Sequence, residues 1–118
     1  MSEEYKYSLE MIYGHIVVCE KRFSEIEKAS DFIANDYGSI LLDSISIRLL
    51  AMGEIIKRIL KHDVNLIEKY PSIEWDNIIQ FRDFIAHHYE KLNYEVVFDI
   101  CKTDLPKLKE VIEAELNY

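Results

Sequence analysis

Chain-breaking residues are scarce: 3 Gly and 2 Pro in 118 residues. Tight turns and bulges draw on those residues. Their scarcity argues against a turn-rich sandwich or barrel and for long helices. Cysteine is scarce too. Cys19 and Cys101 both fall in apolar helical patterns with no metal-ligand spacing, which predicts buried free thiols in a reducing compartment. No apolar run approaches the ~18 residues that read as a membrane span. The start, Met1-Ser2-Glu3-Glu4, is acidic and carries no apolar stretch, so no signal peptide is expected. These absences predict a cytoplasmic location. Positive charge is in deficit, with 14 Lys and Arg against 22 Asp and Glu, a formal net charge of -8. Such a chain repels phosphate backbones and anionic membrane surfaces, which excludes a general nucleic-acid or membrane binder. An RNA-directed function needs a local positive site and a selective or partner-guided substrate.

Apolar residues make up 49% of the chain, which excludes intrinsic disorder. The length fits one domain, residues 1–118, with no linker, repeat or low-complexity segment. Leu9, Met11/Ile12, Ile16, Cys19, Phe23 and Ile26 recur every three or four residues and predict a helix over about 6–28. A short helical piece or loop follows over Ser30–Gly38, where Gly38 suits a helix stop. From near Ser39, Leu41, Ile45, Leu49, Met52, Ile56 and Ile59 step by 4, 4, 3, 4, 3 and form the core stripe of a second long helix. Ile40, Ile47, Leu50 and Ile55 widen that stripe. The extra width predicts a second contact such as a dimer partner, with a thick core as the alternative.

Val64–Tyr70 predicts a short helix that stops at Pro71. The next helix starts near Ser72 or Glu74 and carries Trp75, a core anchor, with Ile78, Ile79, Phe81, Arg82, Ile85 and Ala86. The polar run Glu90–Asn93 predicts a break. Tyr94–Lys102 reads as helical. Thr103 or Asp104 then caps a last helix, with Pro106 in its first turn and Leu105, Leu108, Val111/Ile112 and Leu116 on its apolar face. The result is an all-α, up-down bundle of four or five main helices.

Reactive side chains are dense in one place, Arg82-Asp83-Phe84-Ile85-Ala86-His87-His88-Tyr89, near the end of a helix. At about 100° per residue, Arg82 and Tyr89 return to within about 20° of one face, whereas Arg82 and His87 stand about 140° apart. For Arg82 and His87 to act together, the helix must bend or end between them, or the pair must meet across a two-fold interface. The chemistry these residue types suit is phosphoryl transfer without a metal. An arginine fork holds a phosphodiester and stabilises its transition state. A histidine, whose ordinary pKa lies near neutrality, takes the proton of an RNA 2′-OH or protonates the leaving oxygen. Two-fold symmetry would supply two of each. The plain alternative is a helix end with solvated histidines and a structural Arg–Asp pair.

The motif Arg82-x4-His87-x-Tyr89 resembles the Arg-x4-His-x-Tyr motif of the HEPN superfamily, in its HepT-like branch. Leu50-Ala51-Met52-Gly53-Glu54-Ile55-Ile56-Lys57 resembles that family's Gly-Glu segment. The stretch from Trp75-Asp76 to Arg82-Asp83 resembles the lead into the motif, and Asp104-Leu105-Pro106 the closing Asp-Leu-Pro segment. The resemblance runs from about residue 9 to 116. It implies an all-α HEPN bundle that dimerises, with the motif near the dimer cleft. It also implies a metal-independent endoribonuclease toxin that needs no cofactor. The partner it implies is an MNT-type nucleotidyltransferase, which silences the toxin by transferring AMP onto the motif tyrosine. Carried over, Arg82 and His87 are catalytic and Tyr89 is the AMP acceptor, where bulk and negative charge would block RNA. The family often has Asn after the motif Arg, and this chain has Asp83. That carboxylate could pair with Arg82 or orient His87, and it adds negative charge where phosphate should bind. His88 could assist His87 or face solvent. The alternative function is a non-cleaving subunit that pairs with the nucleotidyltransferase as AMP acceptor or nucleotide-binding module. A plain structural bundle is a third reading.

Other candidates carry less. Asp83 and His87 have i,i+4 ligand spacing and Glu54 could approach them, but no Glu-x-x-His pair is present and no metal is expected. Arg48, Lys57, Arg58 and Lys61 against Glu54 leave a local positive excess, either an RNA-facing rim or a solvated helix face. His15 and His62 are isolated and read as structural. The remaining tyrosines are scattered and form no stacking platform.

Overall fold

The computed structural model describes all 118 residues, and every regular element in it is helical. Helix α1 spans Glu3–Phe23. Its N-terminus is set by Ser2, whose hydroxyl accepts a hydrogen bond from the Tyr5 N–H (3.0 Å), and Glu3 and Glu4 complement the helix dipole. The helix ends five residues before the expected 28. Ile26 is still buried, so the apolar period continues through a turn rather than a helix. Asp31 organises that turn by accepting hydrogen bonds from the N–H groups of Glu27 (2.9 Å) and Lys28 (3.1 Å), which hold its carboxyl below the usual range. Asp31 also opens the short α2 (Asp31–Ala34).

Helix α3 (Asp36–His62) starts earlier than the expected Ser39, because the Asn35 side chain caps it by accepting from the Gly38 N–H (2.8 Å). Gly38 is not a helix stop. It lies in the first turn of α3, where any Cβ would collide with the backbone carbonyl of Asp31. Leu41, Ile45, Leu49, Met52, Ile55 and Ile56 enter the core, whereas Ile40 and Ile47 stay more than half exposed. Helix α4 (Asn65–Lys69) stops ahead of Pro71. Helix α5 (Trp75–His88) follows, and Trp75 is buried with its indole N–H donating to the Tyr70 carbonyl (3.0 Å).

A 3-10 turn, Tyr89–Lys91, supplies the expected break before α6 (Tyr94–Asp99). The expected cap at Thr103 or Asp104 is absent. The backbone instead runs through a π turn, Ile100–Asp104, into α7 (Leu105–Leu116), and the Asp104 side chain caps nothing. Pro106 explains this: it has no N–H and its ring crowds the carbonyl four residues back, and a wider turn just before it opens the ladder without breaking the helix.

The pairs that join the helices give their directions. Cys19 and His15 of α1 meet Ile45 and Arg48 of α3, so these helices run antiparallel. Tyr5 and Glu20 of α1 meet Glu115 and Lys109 of α7, again antiparallel. Arg82 of α5 pairs with Glu54 of α3, and Tyr89 with Asp43, so α5 also runs against α3. This is the expected up-down bundle, with four main helical rods and one cluster of 22 buried apolar residues. Cys19 and Cys101 are free and buried within it, and burial pushes both thiols up to about 12.

One polar knot ties the bundle's end. Glu115 accepts from Lys69 Nζ (2.7 Å), Tyr70 Oη (2.8 Å) and Tyr5 Oη (3.2 Å), with only 10% of its side chain exposed. Burial works to raise the Glu115 carboxyl, but the three hydrogen bonds outweigh it and hold the group below its usual range. A depressed carboxyl stabilises the fold above its unfolded pKa of about 4.3 and loses that contribution as pH falls through the lower folded value. Glu115→Gln should therefore lose about 1–2 kcal/mol at pH 7 by urea unfolding. The gap to wild type should close on acidification below about pH 4.

The glycines give a paired expectation. A Cβ on Gly53 would lie 2.7 Å from the Arg82 Cβ and 2.9 Å from its Cγ, whereas one on Gly14 would meet nothing within 4 Å. Ala is better than Gly inside a helix by about 1 kcal/mol, but overpacking costs about 1–3 kcal/mol. Gly14→Ala should raise the melting temperature and Gly53→Ala should lower it.

Candidate active site

Arg82 sits on the face of α5 that packs on α3, at the point where Gly53 lets the two helices touch. Its side chain is only 20% exposed. One Nη forms an ion pair with Glu54, and Nη1 donates to Asp83 Oδ1 (2.8 Å). Asp83 Oδ1 also accepts from Lys57 Nζ (3.0 Å). The Arg82 hydrogen bond and then that of Lys57 hold the Asp83 carboxyl below the usual range. Two cations and two carboxylates thus leave the cluster without net charge. The Arg82 Nε is buried and has no hydrogen-bond partner.

Helix α5 runs unbroken from Trp75 to His88. It does not end between Arg82 and His87, and at about 100° per residue the two side chains leave it about 140° apart. His87 is exposed and makes no side-chain hydrogen bond or ion pair. Asp83 does not orient it, despite the i,i+4 spacing, because Arg82 and Lys57 already hold that carboxylate. His88 is exposed and lies against Phe84, with ring centroids 5.5 Å apart.

His88 leaves helical geometry (φ -137°, ψ 38°), so Tyr89 stands just past the helix end. Its phenol still turns toward α3, where it donates to Asp43 Oδ1. Burial, with Asp43 adding to it, pushes that phenol up to about 12. Arg82 and Tyr89 thus both reach α3, Tyr89 from just past the helix end.

Asp43 escaped the sequence reading. Its signal is its register: Asp43 and Glu54 are eleven residues apart, about 20° from a common face of α3. Two acids on one face of α3 match a cation on α5 and a phenol just past its end. The basic residues of α3 do not converge. Lys57 pairs with Asp83 of α5, while Arg48 meets His15 of α1 (3.3 Å). Burial and the neighbouring Arg48 lower the His15 pKa. No three His, Cys, Asp or Glu side chains converge as a ligand set. A groove of about 650 Å³ is lined by Leu49, Met52, Phe81 and Phe84 among others, and by none of Arg82, His87 and Tyr89.

The family model "Ribonuclease HepT-like" matches residues 15–115. "Putative RNase MJ0127" of Methanocaldococcus jannaschii is 35% identical over 66 residues, 55% of this chain and 52% of that protein. "Gamma-glutamylcyclotransferase and putative RNase MJ0434" of the same organism is 28% identical over 112 residues, 95% of this chain and 47% of that protein. "Putative RNase MJ1380", also from that organism, is 26% identical over 97 residues, 81% of this chain and 87% of that protein. The chain thus spans about half the length of the first two relatives. No solved structure matches it. No helix is long and apolar enough to cross a membrane. With a match over most of its length and the all-helical fold described above, this chain belongs to the HepT-like ribonuclease family of the HEPN superfamily.

Proposed function

We propose that this chain is a metal-independent endoribonuclease toxin of a toxin–antitoxin pair, acting in the cytoplasm as a homodimer. The observation that carries this reading is the fixed Arg82, held against α3 with a buried, unpartnered Nε, on the same unbroken helix as the exposed His87. Arg82 would hold the scissile phosphate. His87 of one copy would take the 2′-OH proton as the 2′-oxygen attacks phosphorus, and His87 of the other would protonate the departing 5′-oxygen. The 140° separation supports a site shared by two chains, each giving an arginine to the other's histidine. The exposed Ile40 and Ile47 on α3 supply apolar surface for that contact.

The silencing partner would be an MNT-type nucleotidyltransferase that transfers AMP to Tyr89. Tyr89 is 40% exposed at the end of the catalytic helix, and an added nucleotide would place bulk and negative charge at the RNA entrance. A second reading has its own support. Glu54 and Asp83 already neutralise Arg82, which suits a non-cleaving subunit that only accepts AMP or binds nucleotide.

RNA cleavage in EDTA separates the two. The wild-type chain should cut and leave 2′,3′-cyclic phosphate ends. Arg82→Ala and His87→Ala should each lose about 100-fold or more. An inactive, unmodified wild-type chain would favour the non-cleaving subunit.

A further inference from the structure

Asp43 is exposed on α3 and has no Lys or Arg within ion-pair distance, unlike every carboxylate around Arg82. Its one side-chain partner is the Tyr89 hydroxyl, which donates to Oδ1. The contact joins residues 46 apart in sequence and fixes the direction of the phenolic O–H. We infer that Asp43 is the proton acceptor for nucleotide transfer to Tyr89, so that this chain brings its own general base to the modification that silences it. The inference rests on Tyr89 being the AMP acceptor, as proposed above.

The step balances with a nucleoside triphosphate as co-reactant. A lone pair of the Tyr89 Oη attacks the α-phosphorus. The bond from that phosphorus to the oxygen bridging to the β-phosphate breaks, and pyrophosphate leaves with the electron pair. The proton on Oη passes to Asp43 Oδ1. A neutral phenol is a poor nucleophile, and burial with a carboxylate behind it makes free phenolate scarcer still, the phenol standing at about 12. Prior ionisation is therefore a weak route. Once the O–P bond begins to form, the same proton becomes strongly acidic, and a carboxylate already hydrogen-bonded to it takes it without rearrangement. Asp83 is unsuited to that role because Arg82 and Lys57 hold its charge. A metal-bound water or an aspartate on the transferase is the competing base.

The test uses the full chain with a purified MNT-type nucleotidyltransferase, magnesium and α-labelled ATP, with label located by mass spectrometry. Wild type should take label at Tyr89, and Tyr89→Phe should take none there. Asp43→Asn keeps an oxygen to accept the phenol hydrogen bond but is no base, so kcat should fall about 100-fold or more with KM for the acceptor chain unchanged. Asp43→Glu should recover part of the rate. Circular dichroism with a thermal melt confirms that each variant is folded. Asp43→Asn labelled at the wild-type rate, or slowed only through KM, overturns the inference while leaving Tyr89 as acceptor. A wild-type chain that takes no label at Tyr89 overturns the acceptor reading, and the inference with it.

Discussion

The closeness of α3 and α5 at Gly53 governs what the motif can do. With no side chain at residue 53, the Arg82 stem lies directly on α3, and its guanidinium reaches Glu54 one residue along. The same antiparallel register carries Tyr89 to Asp43 three helical turns away on α3. One steric allowance thus sets two polar contacts. It also fixes where His87 points. A helix anchored by Arg82 on one side turns His87 outward, because five residues are not a whole number of turns.

Much of this was legible in the sequence, and the failures have physical causes. The stripe from Leu41 to Ile56 identified α3 and its buried side, since burial on one helix face leaves a 3.6-residue period. The end of α1 was misread because Ile26 is buried from a turn, and burial alone does not reveal backbone conformation. Gly38 was misread because its role is to admit a neighbouring backbone, a tertiary fact with no local signature. Pro106 was correctly placed near a helix start, but the π turn that accommodates it replaced a capped break. At the site, the motif residues were visible as a cluster. Asp43 was not, because an acid on a long helix is ordinary until its register with Glu54, about 20° from one face, is set beside that of Arg82 with Tyr89.

Charge sets the tension in this molecule. On the proposed reading the chain handles RNA and needs a local positive site, yet Arg82 is matched by two carboxylates, and Lys57 and Arg48 of α3 point to different helices. The carboxylates hold the guanidinium in place, and a phosphate must compete with them for it. Such a site disfavours loose binding of many RNAs and suits a substrate that adds contacts elsewhere. Asp83, where the family often has Asn, strengthens that competition.

On the proposed reading, Arg82 and His87 act across two chains. Mixing is its most direct measurement: Arg82→Ala and His87→Ala chains, each inactive alone, are refolded together and assayed for RNA cleavage in EDTA. Cleavage should return in part, well above either parent, because one chain still supplies an arginine and the other a histidine for one of the two proton transfers. A mixture as inactive as its parents, beside a wild-type chain that cleaves, would contradict the shared site and place both groups within one chain.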